Sequence, residues 1–144
     1  MSKNAMPSQE LLARAAKIRL LICDVDGVLT DGRLYFTPDG QELKSFHARD
    51  GHGIKLLQRT GVETAVISGR DSPAVALRMS SLGVRHVYQG RESKLEPYRE
   101  LLDLLRLTPE QTAFIGDDLL DLPLLLRAGL AVAVWTIAGL VGDA

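Results

Sequence analysis

The chain alternates between two arrangements of apolar residues. Short, nearly unbroken apolar runs at 18–23, 64–67, 112–115 and 130–134, with a more polar one at 85–88, read as strands, since a strand covered on both faces has no polar side to show. Between them, apolar residues recur at helical spacing. Ser8 is a natural cap for a short leading helix over 8–16, and Ile54, Leu56 and Leu57 mark a helix that ends at Gly61. Ser72 and Pro73 open another that stops at Gly83, and residues 91–105 carry Leu101, Leu102, Leu104 and Leu105. Residues 119–127 are helical in pattern despite Pro123, which a helix tolerates in its first turn. Strands alternating with helices predict an α/β domain with a mainly parallel sheet of about five strands, the last of them, 130–134, buried.

Residues 33–46 break the alternation. Two strand-like pieces, 33–36 and 41–46, flank Thr37-Pro38-Asp39-Gly40, so a β-hairpin is expected to project from the mouth of the sheet. Its apolar residues Leu34, Phe36, Leu43 and Phe46 need cover, either from the domain or from another subunit.

A chain of 144 residues, 46% hydrophobic and 24% charged, is the size and composition of one soluble domain over 1–144, with its core in 18–134. The formal charge of −1, with both signs scattered, gives no electrostatic case for nucleic acid or a membrane surface as partner. A single cysteine, Cys23, excludes an intramolecular disulfide and reads as a small apolar residue of the first strand. With no signal sequence and no apolar run near the roughly 18 residues of a membrane span, a cytoplasmic protein is expected.

The chemistry gathers where strands end. The run 18–23 stops at Asp24 and Asp26, followed by Gly27; 64–67 runs into Ser68-Gly69-Arg70; 112–115 into Gly116-Asp117-Asp118, with Asp121 close behind; and Lys94 stands where a helix begins. In open α/β sheets ligands bind beyond the carboxyl ends of the strands, so these residues are expected to share one site. Carboxylates are hard ligands suited to Mg²⁺, whereas His47, His52 and His86 lack any zinc-site spacing. A phosphate is the natural third party, since Lys94, the Ser68 hydroxyl and the backbone at Gly69 supply positive charge and donors. Singly, each has a plainer reading: turn residues, a solvated cation at a helix start, a turn hydroxyl. Their joint occurrence is far more specific.

Asp24-Val-Asp-Gly-Val28, Ser68-Gly-Arg70, Lys94 and Gly116-Asp-Asp-Leu-Leu-Asp121 resemble, in order, the four motifs of the haloacid dehalogenase-like phosphatases. The longer run Asp24 to Gly32, Arg49-Asp-Gly51 and Tyr88-Gln-Gly90 narrow the resemblance to the 3-deoxy-D-manno-octulosonate 8-phosphate phosphatase family, over roughly 18–134. The resemblance implies a Rossmann-like fold without a cap domain, and an Mg²⁺-dependent sugar phosphate phosphatase of lipopolysaccharide precursor synthesis. It makes Asp24 the nucleophile that forms an aspartyl-phosphate and Asp26 the acid and base. It assigns the metal to Asp24, Asp117 and the Asp26 carbonyl, and the phosphate to Ser68, Gly69 and Lys94. Asp118 and Asp121 become supporting residues whose roles the sequence leaves open, and Arg70 a candidate for a substrate carboxylate or for a structural ion pair. Capless relatives of this kind form tetramers in which neighbours complete the pocket, so a homotetramer is expected.

Residues 135–144 depart from the family, which continues there into a helix and a tail containing glycine and arginine that reaches a neighbouring site. The expectation is retained chemistry with weaker substrate binding. Three other functions share parts of the pattern: a phospho-receiver domain, a non-catalytic oligomerisation module, and phosphatases of nine-carbon, sialic-acid-like sugars. Against the receiver, the second acid at Asp26 is what hydrolysis requires.

Overall fold

The computed structural model describes residues 7–134; the departure from the family pattern at 135–144 lies outside the described residues. In chain order the elements are α1 (Gln9–Ala16), β1 (Leu20–Cys23), the hairpin strands β2 (Tyr35–Phe36) and β3 (Glu42–Leu43), α2 (Ala48–Arg59), β4 (Glu63–Ile67), α3 (Pro73–Ser81), β5 (His86–Tyr88), α4 (Leu95–Leu105), β6 (Thr112–Gly116), α5 (Leu122–Leu125) and β7 (Leu130–Ala133). Among the described residues the central sheet has five strands in the order β5-β4-β1-β6-β7, all paired in parallel. From β1 the chain winds outward through β4 to β5, then returns to the far side of β1 for β6 and β7. The strand order therefore reverses between β1 and β6, and a crevice opens there at the carboxyl ends.

Successive residues of the inner strands feed two separate cores, one on each face. Cys23 and Val66 meet Ile54 of α2 and Val75 and Met79 of α3, whereas Leu20, Ile22, Ala65 and Ile67 meet Tyr98 and Leu101 of α4, Phe114 of β6 and Leu124 of α5. Cover on both faces is the reason the strand sequences are unbroken apolar runs. A buried hydroxyl pair beside the second core is satisfied: Thr112 Oγ1 donates to Pro109 O at 2.7 Å and accepts from Tyr98 Oη at 3.0 Å. No helix among the described residues is long and apolar enough to cross a membrane.

Four elements differ from the sequence expectation. α2 begins at Ala48 and absorbs the two glycines that resemble a loop, capped by His47, whose Nδ1 accepts from Arg49 N at 3.1 Å. A Cβ on Gly51 would meet the Arg78 guanidinium of α3, the movable end of a long side chain. Residues 119–127 are not one helix: a 3₁₀ turn (Leu119–Asp121) precedes α5, so that Pro123 falls in a first turn. β7 is not buried. As an edge strand paired only with β6, it leaves Ala131, Val132 and Ala133 exposed. In the hairpin, Phe46 packs against the first core, whereas Leu34, Tyr35, Phe36 and Leu43 stay exposed on strands of two residues each.

After β1 the chain folds tightly around the carbonyl of buried Val25, which accepts from the backbone N–H groups of Val28, Leu29 and Thr30 at 3.1, 2.8 and 3.1 Å. Gly27 sits in this loop at φ 82°, and a Cβ on it would overlap the Asp117 carboxylate across the crevice. Gly27→Ala is therefore expected to lose about 1–2 kcal/mol from the left-handed backbone alone. It should also displace Asp117. A urea midpoint and a turnover rate both equal to those of the unsubstituted chain would show the loop to be unconstrained.

Candidate active site

The carboxyl ends of β1, β4 and β6 and the start of α4 enclose an open pocket of about 260 Å³. Asp24, Asp26, Ser68, Gly69, Arg70, Lys94, Asp117 and Asp118 all line it. Asp121 lies directly beneath, fully buried. The residues singled out in sequence at four separate places thus meet at one point. A larger hollow of about 500 Å³ lies alongside, between the loop after β1 and the start of α2, and its lining includes none of these residues.

Asp24 is held as a continuation of the sheet, its N–H donating to Ile115 O of β6 at 2.9 Å. Its Oδ1 accepts from Val25 N at 2.8 Å and lies 3.1 Å from the buried Lys94 ammonium. The same ammonium donates to Asp121 Oδ1 at 2.5 Å, and Asp121 Oδ2 accepts from the backbone N–H of Asp117 and Asp118 at 3.1 and 3.3 Å. Both Asp121 oxygens are therefore engaged, one on the lysine and one on the loop that carries Asp117. Asp118 is exposed and contributes its backbone N–H to this bracing.

Negative charge is in surplus. Burial pushes the Asp24 carboxyl up to about 7 against the pull of Lys94, and the charge of Asp121 adds to the rise. Asp117 is raised as well, first by burial and then by Asp121 and Asp118, with a hydrogen bond from Asp24 opposing. Lys94 is raised: burial alone would lower it, but the hydrogen bond to Asp121 and the charge of Asp24 outweigh burial. Asp24, Asp117 and Asp121 each bring an oxygen within 4.8 Å of the others. Hard oxygen donors crowded around one lysine fit a divalent cation; Asp121 has both oxygens in hydrogen bonds, whereas Asp24 and Asp117 line the pocket itself.

Asp26 faces the other side of the pocket. Its Oδ1 accepts from Lys44 Nζ at 2.6 Å, and Arg70 Nε lies 3.7 Å from its Oδ2. Lys44 also stands 2.6 Å from Glu42 Oε1, and Arg70 donates to Glu42 Oε2 at 2.9 Å. Arg70, about half exposed, is thus engaged in an ion pair with the hairpin. Lys44 and Glu42 did not emerge from the sequence reading. The available signal was the alternation Glu42-Leu43-Lys44, which puts both charged residues on the hairpin face opposite exposed Leu43.

Comparison with known proteins agrees with this geometry. A family model described as haloacid dehalogenase-like hydrolase matches residues 50–129. The 3-deoxy-D-manno-octulosonate 8-phosphate phosphatase KdsC of Yersinia pestis is 49% identical over 127 residues, covering 88% of this chain and 68% of that protein. The crystal structure of the Yersinia pestis phosphatase superposes with a TM-score of 0.87 at 48% identity, over 88% of this chain and 69% of the other. That of the Moraxella catarrhalis phosphatase, in complex with magnesium ion, phosphate ion and KDO, gives 0.85 at 36% identity, over 88% and 73%. Motifs, strand order and relatedness lead to one assignment: the chain belongs to the 3-deoxy-D-manno-octulosonate 8-phosphate phosphatase family of haloacid dehalogenase-like hydrolases.

Proposed function

We propose that this chain hydrolyses 3-deoxy-D-manno-octulosonate 8-phosphate to the free sugar acid and phosphate, in the cytoplasmic synthesis of a lipopolysaccharide precursor. The observation that carries this reading is Asp24, buried at the end of β1 with its Oδ1 3.1 Å from Lys94, in a chain 49% identical to a phosphatase of that substrate. Asp24 attacks phosphorus and holds the phosphoryl group as an aspartyl-phosphate, dividing one difficult displacement into two. Asp26 gives a proton to the leaving sugar oxygen and then takes one from the attacking water. Lys94 and the Ser68 hydroxyl hold phosphate oxygens, helped by the backbone at Gly69, while Asp121 keeps Lys94 in place. Arg70 stands at the pocket wall where a sugar carboxylate would lie, within reach if it exchanges Glu42 for that ligand.

Asp24, Asp117 and the Asp26 carbonyl would hold Mg²⁺, which neutralises the charge of the incoming phosphate and aligns it with the nucleophile. Support comes from the anionic surplus of the site and from the Moraxella catarrhalis relative, whose structure contains magnesium and phosphate. We further propose that subunits associate as a tetramer through the hairpin, whose Tyr35, Phe36 and Leu43 lie exposed.

Asp24→Asn and Asp24→Ala are expected to abolish phosphate release while leaving the fold intact, read by phosphate assay and circular dichroism. Mg²⁺-dependent turnover surviving in Asp24→Ala would end the mechanism. Exhaustive chelation should remove activity, Mg²⁺ should restore it, and Ca²⁺ should support it poorly because its larger, less regular shell disturbs alignment; a rate indifferent to chelation would refute the metal assignment. Phe36→Asp or Leu43→Asp should weaken self-association in sedimentation, and an unchanged oligomer would place the interface elsewhere.

A further inference from the structure

The hairpin delivers a buried lysine to the acid that is proposed to move the proton. Lys44, the residue after β3, has its side chain only 1% exposed, with the ammonium 2.6 Å from Asp26 Oδ1 and 2.6 Å from Glu42 Oε1. Arg70 closes a ring of alternating charge, 2.9 Å from Glu42 Oε2 and 3.7 Å from Asp26 Oδ2. A lysine enclosed to this degree is tolerated only when its charge is paired. Its ammonium has both carboxylates in contact, so it is committed to them and is not offered to substrate. Glu42 Oε1 is buried and accepts no aligned hydrogen bond, so the ammonium beside it is the partner that compensates its charge. Each of the two holds the other in place.

We propose that Lys44, braced by Glu42, is the positioning residue for Asp26, fixing Asp26 Oδ1 so that Oδ2 is the oxygen that carries the catalytic proton. The inference rests on the reading of Asp26 as the acid and base. An ammonium has three hydrogens to donate and no lone pair, so the carboxyl oxygen in contact with it accepts. When Asp26 is protonated, its hydrogen is accordingly on Oδ2. In the first half-reaction the bond from Asp24 to phosphorus forms and the bond from phosphorus to the sugar oxygen breaks, and the Oδ2 proton passes to that oxygen. In the second, water attacks phosphorus, gives a proton to Oδ2, and the bond to Asp24 breaks, leaving Asp26 protonated as at the start. Lys44 touches neither substrate nor phosphorus and acts through the orientation of one carboxyl group.

The test uses leaving groups of different basicity. A sugar alkoxide needs a proton to depart, whereas nitrophenolate does not. Lys44→Met, Lys44→Arg, Glu42→Gln and Asp26→Asn would each be mixed rapidly, with Mg²⁺ present, against 3-deoxy-D-manno-octulosonate 8-phosphate and against 4-nitrophenyl phosphate. General acid and base catalysis typically contributes about 10²–10⁴-fold, so loss of its alignment should lower kcat for the sugar phosphate by roughly 10–100-fold. KM should change by less than about 3-fold. With 4-nitrophenyl phosphate, Lys44→Met should release one nitrophenolate per subunit in a burst close to the unsubstituted rate, then turn over slowly, because the water step still needs Asp26. Lys44→Arg, which keeps a donor against Oδ1, should recover part of the loss, and Glu42→Gln should show the same pattern more weakly. A raised KM with unchanged kcat would make Lys44 a substrate-binding residue and overturn the inference, as would equal loss for both substrates in the burst. Asp26→Asn separates the two levels. If it shows the leaving-group dependence and the Lys44 variants do not, the positioning role alone falls; if Asp26→Asn lacks it, the acid and base reading falls and takes this inference with it. Should Lys44→Met fail to fold by circular dichroism, Lys44→Arg and Glu42→Gln carry the same comparison.

Discussion

The structure depends on holding several like charges together at one edge of a sheet. Asp24, Asp117 and Asp121 converge from β1 and from the segment after β6, and Asp26 stands two residues past Asp24. Carboxylates this close repel one another and resist burial, so the arrangement persists only with cations inserted among them. Lys94 is driven between Asp24 and Asp121, and Lys44 between Asp26 and Glu42. The two lysines arrive from different directions, one from the start of α4 in the sheet's own framework and one from a hairpin outside it. Each is nearly enclosed, which makes the compensation local to its own pair of acids.

The fold arranges the supply of these groups. Because the chain winds outward from β1 and then crosses back to β6, the two acid-bearing strand ends are neighbours in space although far apart in sequence. The tight loop over Val25 turns Asp26 away from Asp24, and Gly27 lets the loop pass against Asp117 without a side chain between them. A scaffold of two cores below the crevice keeps these spacings. The division of labour among the acids follows from what else each one binds. Asp121 has both oxygens on Lys94 and the Asp117 loop, whereas Asp24 and Asp117 line the pocket.

Much of this was legible in the chain because burial on both faces writes itself as unbroken apolar runs, and the breaks in those runs are the strand ends. Asp24, Ser68, Lys94 and Asp117 could all be picked out at such breaks or at a helix start. Strand order leaves no such mark, so β7 read as buried when it lies at the sheet's edge. α2 starts before the apolar spacing at Ile54, Leu56 and Leu57 marks it, because its first turns carry Gly51 and Gly53, which give no helical signal of their own. Glu42 and Lys44 escaped notice for a similar reason. A charged residue on a short strand reads as solvated, and only the folding of the hairpin back over the crevice removes it from water.

One residue at the centre of all this takes no part in the chemistry. Cys23 ends β1, immediately before Asp24, with its thiol packed into the first core and pushed up to about 12 by burial and by the negative charges of Asp50 and Asp24. At neutral pH it is almost wholly protonated, and reagents that need a thiolate find none to attack while the sheet is closed. The single thiol of the chain is thus silent in the folded protein and ordinary once β1 leaves its neighbours. Its rate of labelling under native conditions reads the opening of the innermost strand directly, separately from any event in the pocket one residue away.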